Sequence, residues 1–315
     1  MTTLAQYAAR TRDRDLLAVS TSGGAFTELA RVVLAEGGVV FGAGWGKNWR
    51  VEHKWIDNEA GLAEFRGSKY VYSDISGVYV AIRGFLASKR KVIFFGLPCQ
   101  TAALGNKFGD DANLILVAIF CHCAVMPKVW ERYVAETERA AGSSIVSVRF
   151  RDKSTGWEHG RFSIDFADAS KNMSIAPSEN PYMRAFYCGL SVREPCLDCK
   201  FRENKASADV TIGDFWGVEK HVPEFADDGG VNAVIVFTEK GKHIFDKAAL
   251  EKREVSLEEI LDGNSCLVSS IRPDIKNRCR FLAKYERIGV SNAVDYAFRR
   301  PLWKRVLGRA RRIFK

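Results

Sequence analysis

Apolar positions along the chain fall into two rhythms, one near 3.6 residues and one near 2, and their order predicts the architecture. The helical rhythm opens at Ala25 and runs through Leu29, Val32, Val33 to Glu36, closed by Gly37-Gly38. Val39 to Trp45 then reads as a buried strand and Val51 to Ile56 as an alternating one, followed by a helix-like run from Asn58 to Phe65. A helix over Val78 to Ser88 feeds a strand over Lys91 to Phe95 and a turn at Gly96-Leu97-Pro98-Cys99. The apolar run Leu114 to Phe120 is a second buried strand, and it ends at Cys121-His122-Cys123. An amphipathic helix over Pro127 to Arg139 precedes a hairpin, Ile145 to Arg151 with Gly160 to Phe166. Tyr182 to Leu190 is predicted as a helix, Asn232 to Thr238 as a strand, and Lys242 to Ala249 and Ser256 to Leu261 as helices. Strands alternating with helices argue for an α/β arrangement.

Composition narrows the picture without changing it. The 315 residues, 47% hydrophobic and 27% charged, suffice for a sizeable core in one large domain or two joined ones. No apolar run approaches the roughly 18 residues of a membrane span. Met1 to Arg14 is polar and charged rather than signal-like, so a cytoplasmic protein is expected. The net charge of +9 is concentrated at one end: Arg299 to Lys315 holds eight basic residues and no acid. The preceding body is near neutral, which argues against a nucleic-acid partner. In that tail Leu302, Trp303, Val306, Leu307, Ala310, Ile313 and Phe314 recur at helical spacing after Pro301. The pattern suits peripheral contact of residues 299–315 with an anionic membrane surface, docking on an acidic partner, or packing on the body.

The chemistry concentrates in the cysteines. There are eight, none before Cys99, which in a cytosolic chain argues for metal or redox work over a disulfide framework. Cys196 and Cys199 form a Cys-x2-Cys pair, two soft thiolates from one turn, a geometry that serves zinc and iron-sulfur clusters alike. Two sulfurs hold no metal alone, and Cys99 and Cys121, each placed where a buried strand ends, are the candidates to complete the set. Cys188, near a helix end, is read as a buried thiol, His122 as a satisfied polar side chain, and Cys266 and Cys279 carry no assigned role. Ser20-Thr21-Ser22-Gly23-Gly24 precedes the first helix, where it either receives an anion such as a phosphate or supplies an ordinary Ser/Thr N-cap. Lys69 in Gly67-Ser68-Lys69-Tyr70 is either a phosphate contact or a solvated surface lysine.

Taken in order, Gly67-Ser68-Lys69-Tyr70-Val71, Gly96-Leu97-Pro98-Cys99-Gln100, Cys121-His122, Pro195-Cys196-Leu197-Asp198-Cys199-Lys200-Phe201 and Thr211-Ile212-Gly213-Asp214-Phe215-Trp216-Gly217 resemble the beta-subunit family of coenzyme F-420 hydrogenase/dehydrogenase. The similarity runs from about Ser20 to Ala249. It implies two closely packed α/β lobes, residues 1–106 and 107–264, around a flavin and iron-sulfur site, with a helical, basic C-terminal extension at 265–315. It implies FAD and a [4Fe-4S] cluster as cofactors, with Cys99, Cys121, Cys196 and Cys199 as the cluster thiolates. Ser22, Gly23, Gly24, Ser68, Lys69 and Tyr70 match motifs assigned to flavin binding. Asp214 would hydrogen-bond flavin or substrate or cap a turn, and Trp216 would cover the isoalloxazine or pack in the core.

The chain departs from the family pattern in two places. Where relatives commonly read Cys-His-Gly it has Cys121-His122-Cys123, which makes Cys123 a competing ligand or a neighbour. It also lacks the closely spaced cysteines of the ferredoxin-like segment found in many bacterial relatives, so a ferredoxin-like carrier or another redox subunit is the implied electron partner. The expected function is an oxidoreductase passing electrons between a hydride-exchanging small-molecule or deazaflavin partner and a one-electron carrier. The competing expectation is a non-catalytic scaffold stapled by zinc through the same four cysteines.

Overall fold

The computed structural model describes residues 3–109, 111–202 and 207–299. Among the described residues there are eleven strands: β1 (Ala5–Thr11), β2 (Val39–Trp45), β3 (Val51–Ile56), β4 (Val92–Gly96), β5 (Leu114–Ile119), β6 (Ile145–Asp152), β7 (Arg161–Phe166), β8 (Met173–Ile175), β9 (Val210–Asp214), β10 (Asn232–Val236) and β11 (Leu250–Glu254). Eight of them form one mixed sheet in the order β11-β1-β10-β9-β5-β4-β2-β3, and β6-β7-β8 form a second. The middle of the large sheet, β2, β4, β5 and β9, is parallel; the pairs outside it are antiparallel. Residues on both sides of position 106 thus supply strands to one sheet.

The parallel strands β2, β4 and β5 are apolar throughout because both faces of the sheet are covered. Every residue of Val92-Ile93-Phe94-Phe95-Gly96 is buried. Ile93, Phe95, Ile115 and Val117 face the helix Ala25–Ala35, while Val92, Phe94, Leu114 and Leu116 face the helix Val78–Ala87. The outermost strands carry charge instead: β3 holds Glu52 and Lys54, and β11 reads Leu-Glu-Lys-Arg-Glu, which discourages further pairing at the edges.

The small sheet packs with the helices Pro127–Ala141 and Pro181–Tyr187 around an aromatic cluster that includes Trp130, Tyr133, Phe150, Phe162 and Tyr182. Three C-terminal helices, Ile275–Leu282, Tyr285–Ile288 and Val290–Phe298, close this layer with Phe281, Val290, Ala293 and Val294. Glu136 receives the N–H groups of Val290 (2.6 Å) and Ser291 (3.0 Å), a carboxylate on a helix N-terminus. No helix among the described residues is long and apolar enough to cross a membrane. The proposed surface-binding tail, with Leu302, Trp303 and Phe314, lies outside the described residues, which end at Arg299.

Three local expectations need correction. Gly96 to Cys99 is not a turn only: Pro98–Phe108 is a helix, with Pro98 at its first position and the Gln100 side chain accepting the Leu97 N–H at 2.9 Å. The helix entered at Tyr182 stops at Tyr187, and Cys188 is exposed rather than buried. β1 escapes the apolar pattern because Gln6, Arg10 and its alanines form no apolar run; its burial comes from β10 and β11 on either side.

Candidate functional site

The four parallel strands end side by side, and outside their carboxyl ends opens a cavity of about 590 Å³. Ala43, Gly96, Ile119 and Asp214 bring one strand end each to its wall. This is where open α/β sheets place ligands, and the volume suits a small-molecule cofactor.

One wall is the loop Ser20 to Gly24. Gly24, at φ 82°, is the N-cap of the helix Ala25–Ala35 and offers no side chain, so neither serine nor threonine caps it. The Ser22 hydroxyl instead donates to the Val231 carbonyl (2.8 Å), and Thr21 Oγ1 accepts the Ser68 N–H (3.1 Å), which knits the loop to the Gly67–Tyr70 segment. The Ala25 N–H donates to Asn232 Oδ1 (3.0 Å), whose amide nitrogen donates to the Gly213 carbonyl (3.1 Å). At Gly23 a side chain has no room, since a Cβ there would stand 2.5 Å from the Ala9 carbonyl oxygen and 2.7 Å from the Asn232 nitrogen. Ser22, Gly24, Ser68, Lys69 and Tyr70 line the cavity; Gly23 stands behind its wall, against β1 and β10.

Lys69 turns its ammonium to the carbonyls of Phe65 (3.4 Å), Arg66 (3.2 Å) and Gly67 (3.1 Å), and burial pushes it down to about 8. Arg66, which the motif reading passed over, also lines the cavity and donates from Nε to Thr27 Oγ1 (3.3 Å) in the first turn of the helix. Its place beside Gly67 in the same motif was the available signal.

On the opposite wall Asp214 pairs with Arg151 at 3.3 Å rather than capping a turn, and the same guanidinium donates to the Trp157 carbonyl at 2.9 Å. Burial raises the Asp214 carboxyl, and Arg151 opposes that rise. Trp216 stacks on Trp157 with ring centroids 4.9 Å apart and planes within 5°, and the Arg151 guanidinium lies 4.9 Å from its centroid. Arg151 sits at the end of a predicted hairpin strand and carried no functional signal in the sequence. His53 was equally silent: it donates from Nε2 to the Phe95 carbonyl (2.8 Å), stacks on Phe94 at 4.8 Å, and is held neutral by burial, which takes it down to about 4.

Of the cysteines, Cys121, Cys123 and Cys266 line this cavity, while Cys99, Cys196 and Cys199 are not part of its lining. Burial pushes the Cys99 thiol up to about 11, with Cys196 and Cys199 adding to the rise and Arg193 opposing it. Cys121 is raised by burial, then by Cys123, Cys196 and Cys99, against Arg202. Thiols from three separate segments therefore act electrostatically on one another. Among the described residues no three His, Cys, Asp or Glu side chains stand as a ready metal-holding group. Thiols are the soft donors that zinc and iron-sulfur centres take, and Arg193 and Arg202 are the cations that bear on Cys99 and Cys121. The Cys196–Cys199 turn is fixed by two bonds, Cys196 N–H to the Arg193 carbonyl and Cys199 N–H to Ser270 Oγ, each 3.0 Å.

Comparison with curated proteins gave no significant match. Among solved structures the chain is similar to one from the F420-reducing [NiFe] hydrogenase complex of Methanosarcina barkeri, studied as a xenon derivative, with 20% identity over 94% of this chain and 90% of that chain and a TM-score of 0.56. That likeness shows the fold. Two family profiles match the sequence, both describing the beta subunit of coenzyme F420 hydrogenase/dehydrogenase: the profile of its N-terminal part matches residues 6–79, and that of its C-terminal part matches residues 89–262. With most of its length so matched, the chain belongs to the coenzyme F420 hydrogenase/dehydrogenase beta-subunit family, a family of oxidoreductase subunits.

Proposed function

We propose that the chain is a flavin- and [4Fe-4S]-dependent oxidoreductase. What supports this reading is that the thiols of Cys99, Cys121, Cys196 and Cys199 bear electrostatically on one another, and that Cys121 lines a cavity also lined by Ser22, Gly24, Ser68, Lys69, Tyr70, Asp214 and Trp216. When bound, a flavin supplies two-electron exchange with a small-molecule or deazaflavin partner, and an iron-sulfur cluster supplies one-electron transfer to a carrier. The protein's own share is placement. The four thiolates would hold the cluster. The N-terminus of the helix Ala25–Ala35, with Arg66 beside it, would receive the FAD pyrophosphate, because backbone N–H groups and a cation favour negative charge there. Arg151, held by Asp214 and lying over Trp216, would keep that wall rigid against the ring system.

The family and the hydrogenase complex of its structural neighbour support a separate redox subunit or ferredoxin-like carrier as electron partner. We take the setting to be cytoplasmic, and the two lobes to be residues 1–106 and 107–264. Anaerobic purification with iron, sulfide and flavin analysis tests the proposal. Brown protein with a broad band near roughly 400 nm and bound flavin is expected for thiolate-ligated iron. Colourless protein with one zinc per chain would show the scaffold alternative instead.

A further inference from the structure

The Cys-x2-Cys turn is bracketed at equal spacing by two arginines, Arg193 three residues before Cys196 and Arg202 three residues after Cys199. Both hold the segment after β5, and each adds a second remote contact. Arg202 donates through Nη1 to the carbonyl oxygens of Cys121 and Cys266, and through Nη2 to that of His122 at 2.7 Å. One guanidinium thereby ties the segment after β5 and the Ser265–Leu267 turn to the chain leaving Cys199. Arg193 works at the other end. Its N–H holds the Ala124 carbonyl (2.9 Å), next to Cys123, and its guanidinium carbon lies 3.6 Å from the centroid of Tyr72. Tyr72 in turn is electrostatically coupled to the Cys99 thiol.

We propose that Arg193 and Arg202 are paired positioning residues, which dock the segment after β5, the Ser265–Leu267 turn and Tyr72 on the Cys196–Cys199 turn and hold the thiolate centre between two fixed cations. The inference rests on the iron-sulfur reading of those thiols. A guanidinium stays charged at any working pH and serves several oxygens in one plane, so it supplies geometry and charge together. Positive charge close to a cluster favours its reduced, more negative form, and partners one shell out from a metal orient its ligands.

The test uses the full chain purified anaerobically, with Arg193→Gln, Arg202→Gln and the two Lys variants, read by iron and sulfide per chain and by redox titration of the cluster signal. Each Gln variant is expected to keep its flavin and to lower the cluster potential, changing the oxidised-to-reduced ratio at fixed potential about tenfold, ~59 mV for one electron. Arg202→Lys should return that ratio to within about twofold of wild type, yet lose iron faster on standing, because an ammonium does not bridge the three carbonyls in one plane. Gln variants with wild-type potential and wild-type iron retention would overturn the proposal, as would Lys variants that shift as far as Gln. If the Gln variants do not fold, Arg202→Lys still decides: iron retention equal to wild type counts against the bracket. Wild-type protein that holds flavin but no cluster removes the iron-sulfur reading itself, an outcome separate from a loaded wild type with unresponsive variants.

Discussion

The cavity wall and the thiol corner border the same space but are built in different ways. The wall rests on strand ends whose positions follow from ladder hydrogen bonds and from side chains buried on both faces of the sheet, such as Phe95, Val117 and Ile212. The corner is assembled from the first turn of one helix, the loop after β5 and the turn at Glu194–Cys196, and it is tied by polar bonds such as those of Arg202 and Ser270. A sheet end is secured by the whole core behind it. The thiol corner depends on a few contacts, and burial together with neighbouring thiols disfavours the thiolate form at Cys99 and Cys121. A metal bound there would have to displace those protons, so its affinity rises with pH and contributes to holding the corner together.

Two sides built so differently should break separately. The largest effect belongs to the ligands: Cys121→Ser or Cys196→Ser should lower the iron content of anaerobically purified protein at least about tenfold. Bound flavin and the far-UV spectrum should stay near wild type, because neither thiol supports the sheet. Simultaneous loss of flavin and of secondary structure in Cys196→Ser would mean that corner and wall are one cooperative unit.

Gly23→Val attacks the wall from behind. The new side chain meets backbone of β1 and β10, which cannot move aside without breaking the ladder, so destabilisation of about 2–3 kcal/mol is expected. Urea unfolding followed by circular dichroism measures it, and flavin affinity should fall in the same variant. A midpoint unchanged from wild type would show that the Ala9–Gly23–Asn232 contact yields to a side chain at little cost.

What the sequence discloses follows the same division. β2 and β3 begin and end where the apolar run Val39 to Trp45 and the alternation of Val51 to Ile56 predict, because buried strands must be apolar on their packed faces. β9 is harder to see, since Val210-Thr211-Ile212 is too short to show a period and its partners, β5 and β10, are distant in the chain. Cys196 and Cys199 announce themselves through local spacing. The residues that finish the site do not: His53 and Arg151 sit in strands where alternation reveals only which face they occupy, and what they touch across the sheet depends on pairing that no local pattern records. Arg193 and Arg202 flank the Cys-x2-Cys pair in the sequence, but what they hold depends on segments far away in the chain.

A gentler probe of the wall is pH. His53 binds a proton near 6.5 when unfolded and near 4 when folded, so between those values the unfolded chain holds more protons and stability falls as the solution is acidified. The loss begins below about 6.5, is largely complete by about 4, and should amount to about 3 kcal/mol at most. Replacing the ring by phenylalanine removes the titration, so His53→Phe should flatten the urea midpoint against pH in this window. An equal acid slope in wild type and variant would place the sensitivity elsewhere.

The smallest effect sharpens the boundary of the corner itself. Cys188 and Cys279 are exposed and are not among the thiols that act on Cys99, Cys121 or Cys123, although both lie in the same half of the sequence as the Cys-x2-Cys turn. Spacing along the chain would admit Cys188 as a ligand, eight residues before Cys196; position in the fold does not. Cys188→Ser and Cys279→Ser should therefore leave iron per chain unchanged and alter stability by less than about 0.5 kcal/mol. Cys123→Ser is the informative contrast, because Cys123 is buried, lines the cavity and is raised by burial and then by Cys196. Iron loss in Cys123→Ser but not in Cys188→Ser would set the corner's limit at the thiols that share its electrostatics, and loss in both would break the distinction.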